Sequence, residues 1–124
     1  MYKKATLFED AVIARKILNS CNPTRHRYLG KEVAGFNKQV WQQKCKRFAF
    51  DGNLAKFSQN SSLKENLLKT KGKSFAEASP YDRIWGIGLS LSNPKIYDRS
   101  KWRGRNWAGE VLESVRAELL QLIS

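Results

Sequence analysis

The sequence contains few residues of the kinds that bind metals or form disulfides. Its 124 residues include two cysteines, Cys21 and Cys45, and one histidine, His26. The cysteines are too few and too far apart for a disulfide framework, and they lack metal-ligand spacing with the histidine. These shortages argue against a disulfide-rich scaffold and a zinc site. We therefore expect reduced thiols, no metal and no cofactor.

Long hydrophobic runs are also missing. No apolar stretch approaches the ~20 residues that a membrane-spanning helix needs, and the N-terminus lacks the apolar core of a signal peptide. We therefore expect a cytoplasmic protein with no membrane partner. The chain has the length of one domain, which we place over residues 1–124.

Acidic residues are scarce relative to basic ones. The chain has 23 Lys and Arg against 11 Asp and Glu, which gives a formal net charge of +12. A positive surface attracts anions, so this balance favours a partner such as nucleic acid or a nucleotide phosphate. The basic residues are spread from Lys3 to Arg116 without a dense run, which argues against a disordered basic tail. The alternative is a solvated basic surface that only keeps the protein soluble.

Apolar residues recur mainly at helical spacing, with capping residues between the repeats. The first predicted helix is already under way at Met1 and runs to Leu18, and the second runs from the cap Asn22 to Gly30. Asn37 opens the third helix, which Gly52 bends or interrupts. Ser62 caps the fourth helix and Asn106 caps the last one. Short strands are predicted at Phe75–Ala78 and Ile84–Leu89, and a loop between Ser90 and Arg103. The pattern predicts a mainly α fold with a few short strands in a single compact domain.

Two short segments concentrate residues suited to a ligand site. They are E-A-S-P-Y-D-R-I-W-G-I-G at residues 77–88 and W-R-G-R-N-W-A-G at residues 102–109, and together they hold two carboxylates, three of the four tryptophans and four of the eight glycines. Tryptophan rings stack on planar ligands, glycines let backbone approach closely, and an asparagine at a helix start leaves N–H groups that favour an anion. The alternative is structural: Trp85 lies in the core, the glycines form a bulge and Asp82 closes a turn.

Four further motifs precede these segments. They are L-G-K-E-V at 29–33, tryptophan at 41, A-K-F-S-Q-N at 55–60 and L-L-K-T at 67–70. In this order the motifs resemble the NADAR family, also called YbiA-like after a bacterial N-glycosidase linked to the breakdown of riboflavin intermediates. The resemblance covers nearly the whole chain, and the D-x-x-W-G and N-x-x-G segments with A-K-F upstream are its most specific part.

The resemblance also has a departure at the N-terminus. Family members usually carry an F-S-N-F-like strand and an S-x-E-H-Y-like segment, whose glutamate is taken to be catalytic, and this sequence begins just after that point. We therefore expect a chain that is short at its N-terminus relative to the family: either it is truncated, or an upstream start was missed, or the protein works without those groups.

The resemblance implies an N-glycosidase that cleaves the bond between a ribose and a base. The implied substrates carry ribose phosphate: ADP-ribose attached to guanine in DNA or RNA, or phosphoribosylaminopyrimidines of the riboflavin path. The net charge favours the substrate linked to nucleic acid. The alternatives are a catalytically impaired module that binds ADP-ribose or a nucleotide, and a basic nucleic-acid-binding protein. The oligomeric state is left open.

Three residues are candidates for catalysis. Cleavage passes through an oxocarbenium-like state, which needs a carboxylate close to the anomeric carbon, and Asp82 and Glu77 are the candidates for it. In the family the lysine that matches Lys4 lies close to the ribose. A lysine desolvated in such a pocket could form a Schiff base with an opened ribose aldehyde.

The remaining candidates are expected to bind substrate. Trp85 would stack on the base or form a wall for the ribose, and Gly86 would leave room for the sugar. Asn106 and the backbone after it would receive phosphate, and Lys56 would contact phosphate or ribose. Matching motif positions add three residues to the implied binding set: Lys31, Phe57 and Gly109. For each lysine the alternative is a solvated helix face.

Overall fold

The computed structural model describes residues 1–123, and over that range the chain is built from helices. The α-helices are α1 (Tyr2–Leu7), α2 (Ala11–Leu18), α3 (Pro23–Lys31), α4 (Lys38–Gln59), α5 (Ser61–Leu68) and α6 (Trp107–Ile123). Two short 3₁₀ helices, Pro94–Tyr97 and Arg99–Lys101, lie between α5 and α6. The prediction of a mainly helical fold is confirmed. None of these helices within residues 1–123 is long and apolar enough to cross a lipid bilayer.

The expected strands are not found in the part of the chain that the structure describes. Neither Phe75–Ala78 nor Ile84–Leu89 forms a β-ladder. Instead, the carbonyl oxygen of Phe75 accepts a hydrogen bond from Asn106 Nδ2 at 2.8 Å, and Glu77 N donates to Asn106 Oδ1 at 3.0 Å. A side-chain amide therefore takes the place of a neighbouring strand, so the strand-like composition of this segment does not produce a sheet.

Packing divides the chain into two compact units, one of residues 1–48 and one from Ala49 onward. Helix α4 begins in the first unit and ends in the second. The core of the first unit comes from α1, α2, α3 and the turn after it and contains Ala5, Ile13, Ala14, Ile17, Leu29 and Val33. The core of the second comes from α5 and α6 and contains Leu67, Val111, Val115 and Leu119. One domain over residues 1–124 stays a prediction.

The predicted first helix is in fact two helices. Glu9, between α1 and α2, has a φ of 58°, which lies in the left-handed region and breaks the helix. Asp10 then caps α2 by accepting a hydrogen bond from Ile13 N at 3.0 Å, and its other carboxylate oxygen accepts one from Ala34 N at 2.9 Å. These hydrogen bonds lower the pKa of Asp10, and the bond from Ala34 N has the largest effect. The preference of aspartate for the cap position overrides the apolar periodicity of the segment.

The middle of the chain differs from the prediction in two further ways. Gly52 does not interrupt α4, which continues to Gln59. Asn37 precedes α4 and accepts a hydrogen bond from Val40 N at 3.1 Å, as expected of a cap. Ser62 lies inside α5 rather than at its start, because Asn60 occupies the cap position.

Candidate functional site

A tight turn at Asp82 organises residues 82–88, which we call the Asp82 loop. Oδ1 of Asp82 accepts hydrogen bonds from Ile84 N at 3.0 Å and from Trp85 N at 2.8 Å. Both bonds use the same oxygen, and the side chain is half-buried. The turn therefore fixes the direction of the carboxylate and leaves Oδ2 for another partner. This is the structural role that the sequence offered for Asp82, and it is compatible with a ligand contact.

The backbone of residues 83–87 is joined to the chain just before and at the start of α6. Arg103 N donates to Ile87 O and Arg105 N to Arg83 O, both at 2.8 Å. Three further bonds of 3.0–3.1 Å run from the N–H groups of Asn106, Trp107 and Ala108 to the carbonyls of Gly86, Ile84 and Trp85, in that order. The Asp82 loop is thus held against the N-terminus of α6 by five backbone hydrogen bonds.

Asn106 forms the centre of this junction. It is 5% exposed and has a φ of 55°, a conformation that asparagine tolerates better than most residues. Its side-chain amide bridges the backbone of Phe75 and Glu77, as described above, and its N–H binds the carbonyl of Gly86. One residue therefore holds three parts of the chain together: residues 75–77, the Asp82 loop and α6.

These bonds affect the phosphate site expected at the start of α6. The N–H groups of Asn106, Trp107 and Ala108 already donate to carbonyl groups of the Asp82 loop. A phosphate at this position would have to displace those bonds, because helix N-termini bind anions through N–H groups that lack a partner. The asparagine that the sequence suggests as a phosphate ligand is arranged here to hold the loop in place.

Two glycines make this close packing possible. A Cβ atom on Gly86 would lie 2.7 Å from the carbonyl oxygen of Asp82 and 2.9 Å from the Cβ of Ser79. A Cβ atom on Gly109 would overlap the carbonyl oxygen of Phe75. In both places the absent side chain leaves room for the protein's own backbone, whereas the sequence suggested that Gly86 leaves room for a sugar.

Trp85, a residue of the Asp82 loop, packs against the core of the second unit. Its ring meets that of Trp107 edge-on, with centroids 5.7 Å apart and planes at 90°. It is half-buried and packs against the core formed by α5 and α6. Part of the indole is thus available to a ligand while the rest is fixed by packing, which is a suitable arrangement for a stacking surface.

The other predicted site residues of the second unit differ in their exposure: Glu77 and Lys56 are exposed, and Phe57 is partly buried. The side chain of Glu77 is exposed, although its backbone is bonded to Asn106 and to Ile87 N. Lys56 is exposed near the end of α4, and Phe57 beside it packs against the same core as Trp85. The structure thus joins Glu77, Asp82 and Trp85 to one junction, and it gives Phe57 a place in the core.

Lys4, in the first unit, has an unusual environment for a lysine. Its Nζ lies 4.5 Å from the ring centroid of Phe36 and 5.8 Å from that of Trp41. Desolvation lowers the pKa of Lys4, and the surrounding rings are apolar or aromatic. The neutral amine, which is the nucleophilic form, is therefore more populated at Lys4 than at an ordinary lysine. The sequence does not show that Phe36 and Trp41 lie beside Lys4. Trp41 falls on the apolar side of the predicted helix, which suggests a core residue instead.

Lys31, also in the first unit, lies at the end of α3 and is exposed. Its Nζ lies 5.5 Å from the ring centroid of Tyr28, one helical turn earlier. A contact of this kind at an exposed site contributes about 0.5–1 kcal/mol and leaves the ammonium group open to solvent. Its role in substrate binding stays a prediction.

Comparison with known proteins finds similarity over nearly the whole chain. The model of the NADAR domain family matches residues 1–120. The chain is 44% identical to the protein irg-1 of Caenorhabditis elegans over 96% of its own length, and it spans 57% of the length of that relative. It is 40% identical to an N-glycosidase of Acanthamoeba polyphaga mimivirus, with 95% of this chain and 69% of that protein covered. With an N-glycosidase of Nostoc punctiforme it shares 28% identity over 94% of this chain and 67% of the relative.

Proposed function

Because this chain belongs to the NADAR domain family, we propose that it is an N-glycosidase, a hydrolase that cleaves the bond between a ribose and a base. Two of its relatives carry the name N-glycosidase. The observation on which the proposal mainly rests is the environment of Lys4, whose amine lies beside two aromatic rings and has a lowered pKa. A nucleophilic amine is one of the groups that can attack an anomeric carbon and form a covalent intermediate.

We assign Lys4 the covalent step. Its neutral amine attacks C1′ of the ribose as the C1′–N bond to the base breaks, and the base leaves with a proton. Opening of the sugar ring then gives a Schiff base between Nζ and C1′. Addition of water to this imine releases the sugar and regenerates the lysine, so one water is consumed in each cycle. The lowered pKa supports this role because a protonated amine has no lone pair for the attack.

We assign Asp82 electrostatic stabilisation of positive charge on the sugar. Its carboxylate is fixed by two backbone N–H groups through Oδ1, which leaves Oδ2 for a substrate. A carboxylate that is oriented before the reaction stabilises developing charge without reorganisation in the transition state. Glu77 is exposed and is kept as the second carboxylate candidate. Lys4 and Asp82 belong to different units, and the two assignments are independent of each other.

For the substrate we propose ADP-ribose linked to guanine in nucleic acid, with phosphoribosylaminopyrimidines as the other class. The formal charge of +12 supports the first class, because contacts to several phosphates add affinity whatever the base sequence. The half-buried ring of Trp85 suits stacking on a base, and Lys31 and Lys56 are exposed to reach phosphate. A cytoplasmic location stays a prediction.

The proposal is tested with the full chain and two substrates: DNA that carries ADP-ribosylated guanine, and the phosphoribosylaminopyrimidine. Released base is measured by chromatography, and sodium cyanoborohydride is added so that an imine on lysine becomes a permanent adduct visible in the protein mass. We expect cleavage and an adduct on Lys4. Lys4→Arg should abolish the adduct, whereas Lys3→Arg, an exposed lysine on the same helix, should retain it.

The outcomes separate the alternatives. No cleavage of either substrate by a folded sample would contradict the N-glycosidase proposal. Cleavage with an adduct that survives in Lys4→Arg would leave the activity standing and remove Lys4 from it. Thermal stabilisation by ADP-ribose that is lost in Trp85→Ala, without any cleavage, would make the protein a binding module instead.

A further inference from the structure

The second unit contains a cavity that none of the catalytic candidates lines. Its volume is about 440 Å³, within the range of small-molecule sites. Three small side chains, Ser74, Ala76 and Ala78, form part of its wall. They alternate with Phe75, which packs into the core of the same unit. Alternate residues of this segment thus face the cavity, and their small size leaves the space open.

The rest of the wall includes aromatic and basic side chains, among them Tyr97, Arg99 and Trp102. Trp102 is held in position because its Nε1 donates a hydrogen bond to the carbonyl oxygen of Ile96 at 2.8 Å. The guanidinium carbon of Arg99 lies 5.2 Å from the centroid of the Trp102 ring. Tyr97 is 89% exposed, so its ring is available from solvent. Fixed and exposed aromatic rings beside an arginine are the components that stack nucleic-acid bases.

The charge of the surrounding chain fits a polyanion. Residues 93–105 contain five Lys or Arg side chains and a single acid, Asp98. That acid is already engaged, since Oδ1 accepts hydrogen bonds from the backbone and hydroxyl of Ser100 and Oδ2 lies 3.6 Å from Lys101 Nζ. Three of these five basic residues, at positions 95, 101 and 103, directly precede or follow a lining residue, and Lys73 precedes another. Arg99 also lies beside an acid from α6, with 4.0 Å between its Nη2 and Glu113 Oε1. Such a density of positive charge exceeds what one phosphate needs, and it suits successive phosphates along a strand.

We propose that this cavity binds a base of a single-stranded nucleic acid, stacked on Tyr97 and Trp102, with Arg99 and the neighbouring lysines contacting the adjacent phosphates. A duplex keeps its bases stacked and paired, so a paired base is not free to enter. None of the catalytic candidates lines this cavity, although Ile87 of the Asp82 loop does, and binding there needs no cleavage of a glycosidic bond. It deepens the proposed function by giving a nucleic-acid-linked substrate a second point of attachment.

The test measures binding of a fluorescent, unmodified single-stranded DNA of about ten nucleotides by anisotropy at fixed salt, a length within the site sizes of single-strand binding folds. Tyr97→Ala removes a stacking surface, and Ala76→Trp fills the cavity. Because stacking on an aromatic side chain contributes about 1–3 kcal/mol per base, we expect Tyr97→Ala to weaken binding about 5- to 150-fold. Ala76→Trp should weaken it at least as much. The matched control is Tyr81→Ala, which removes a tyrosine that is 96% exposed and does not line the cavity, and should change binding less than about twofold.

Additional arms identify the ligand. The same sequence as a duplex should bind more weakly than the single strand, and a nucleoside monophosphate should compete only weakly. Binding that is unchanged in both Tyr97→Ala and Ala76→Trp, with helix content preserved by circular dichroism, would overturn the proposal. Equal affinity for duplex and single strand would also overturn it, because it would reduce binding to phosphate contacts alone. Since the probe is unmodified DNA, these results do not depend on whether the protein is an N-glycosidase.

Discussion

At the scale of single residues, the surroundings of a side chain distinguish it from others of the same type. The chain has many lysines, and the sequence gives no reason apart from family resemblance to select Lys4. The structure supplies one, because Phe36 and Trp41 lie beside its amine and desolvation lowers its pKa. Neither ring is close to Lys4 in sequence, so this environment could not be predicted from local patterns.

The lowered pKa of Lys4 predicts a difference in chemical reactivity. A lysine whose pKa is lowered from 10.5 has a larger neutral fraction at any pH below that value, and only the neutral amine reacts with acylating reagents. Under limiting reagent near neutral pH, Lys4 should therefore be acetylated before Lys3, which is exposed on the same helix. Peptide mass spectrometry over a range of pH measures the two rates. Equal pH profiles for the two lysines would contradict the prediction.

Asn106 gives a second prediction at this scale. Replacement by alanine removes both side-chain bonds to residues 75–77 and leaves a carbonyl and an N–H, both part-buried, without these partners. It also places alanine at a φ of 55°. Since an unsatisfied buried polar group costs about 1–3 kcal/mol, we expect Asn106→Ala to lower the free energy of unfolding by about 2–5 kcal/mol in urea denaturation.

The control for this prediction is Asn93→Ala in the same unit. Asn93 caps a short 3₁₀ helix by accepting one bond from Lys95 N at 2.9 Å, and its loss should cost about 0.5–2 kcal/mol. A smaller loss in Asn106→Ala than in Asn93→Ala would show that Asn106 does not hold the junction.

At the scale of elements, the sequence predicts the helices well where local signals determine them. Asn22 and Pro23 mark the start of α3, and the side chain of Asn22 accepts bonds from Thr24 N and Arg25 N, as expected of a cap. The sequence fails where a distant group decides the local structure. Residues 75–78 have the composition of a strand, but their backbone pairs with the side chain of Asn106, about 30 residues further along the chain.

The candidate site shows the same division. Its composition drew attention to residues 77–88 and 102–109, and the structure joins these segments by hydrogen bonds. What could not be predicted is that the N–H groups at the start of α6 already have partners, because those partners are carbonyls of the Asp82 loop. The sequence singled out Trp102 but not Tyr97, because Tyr97 lies in a stretch that resembles an irregular loop.

Replacing glycine by alanine should change the stability of the protein in opposite directions at two positions, Gly109 and Gly52. Gly109→Ala places a methyl group on the carbonyl oxygen of Phe75, so α6 or residues 74–78 must move, at a cost of about 1–3 kcal/mol. Gly52→Ala lies inside α4, and the added methyl group would meet nothing within 4 Å apart from its chain neighbours and the nearby backbone of the helix itself. It should stabilise the protein by roughly 0.5–1 kcal/mol through the helix propensity of alanine.

Urea denaturation of the two glycine variants checks both signs. Destabilisation by both substitutions would indicate that α4 needs a glycine for another reason. Stabilisation by Gly109→Ala would contradict the close packing between α6 and Phe75.

At the scale of the whole molecule, charge is the property that separates the two proposed substrate classes. The formal charge is +12, and long-range attraction acts on a polyanion far more than on a small phosphate ester. Binding of a polyanion releases its condensed counterions, and added salt weakens binding because it reduces the free energy gained from that release. Because chemistry at the anomeric carbon involves no such release, salt should affect substrate capture rather than the bond cleavage itself.

The last prediction uses this difference. For ADP-ribosylated single-stranded DNA, KM should rise by about 20-fold between 50 and 200 mM salt if about three phosphates are contacted, since the logarithm of affinity falls by roughly 0.7 per contact per logarithmic unit of salt. The value of kcat should change little. For phosphoribosylaminopyrimidine, which has no polymer backbone, KM should change by less than about threefold over the same range. Equal salt dependence of KM for the two substrates would mean that the basic surface does not contribute to recognition of a strand, and would leave the small substrate as the better candidate.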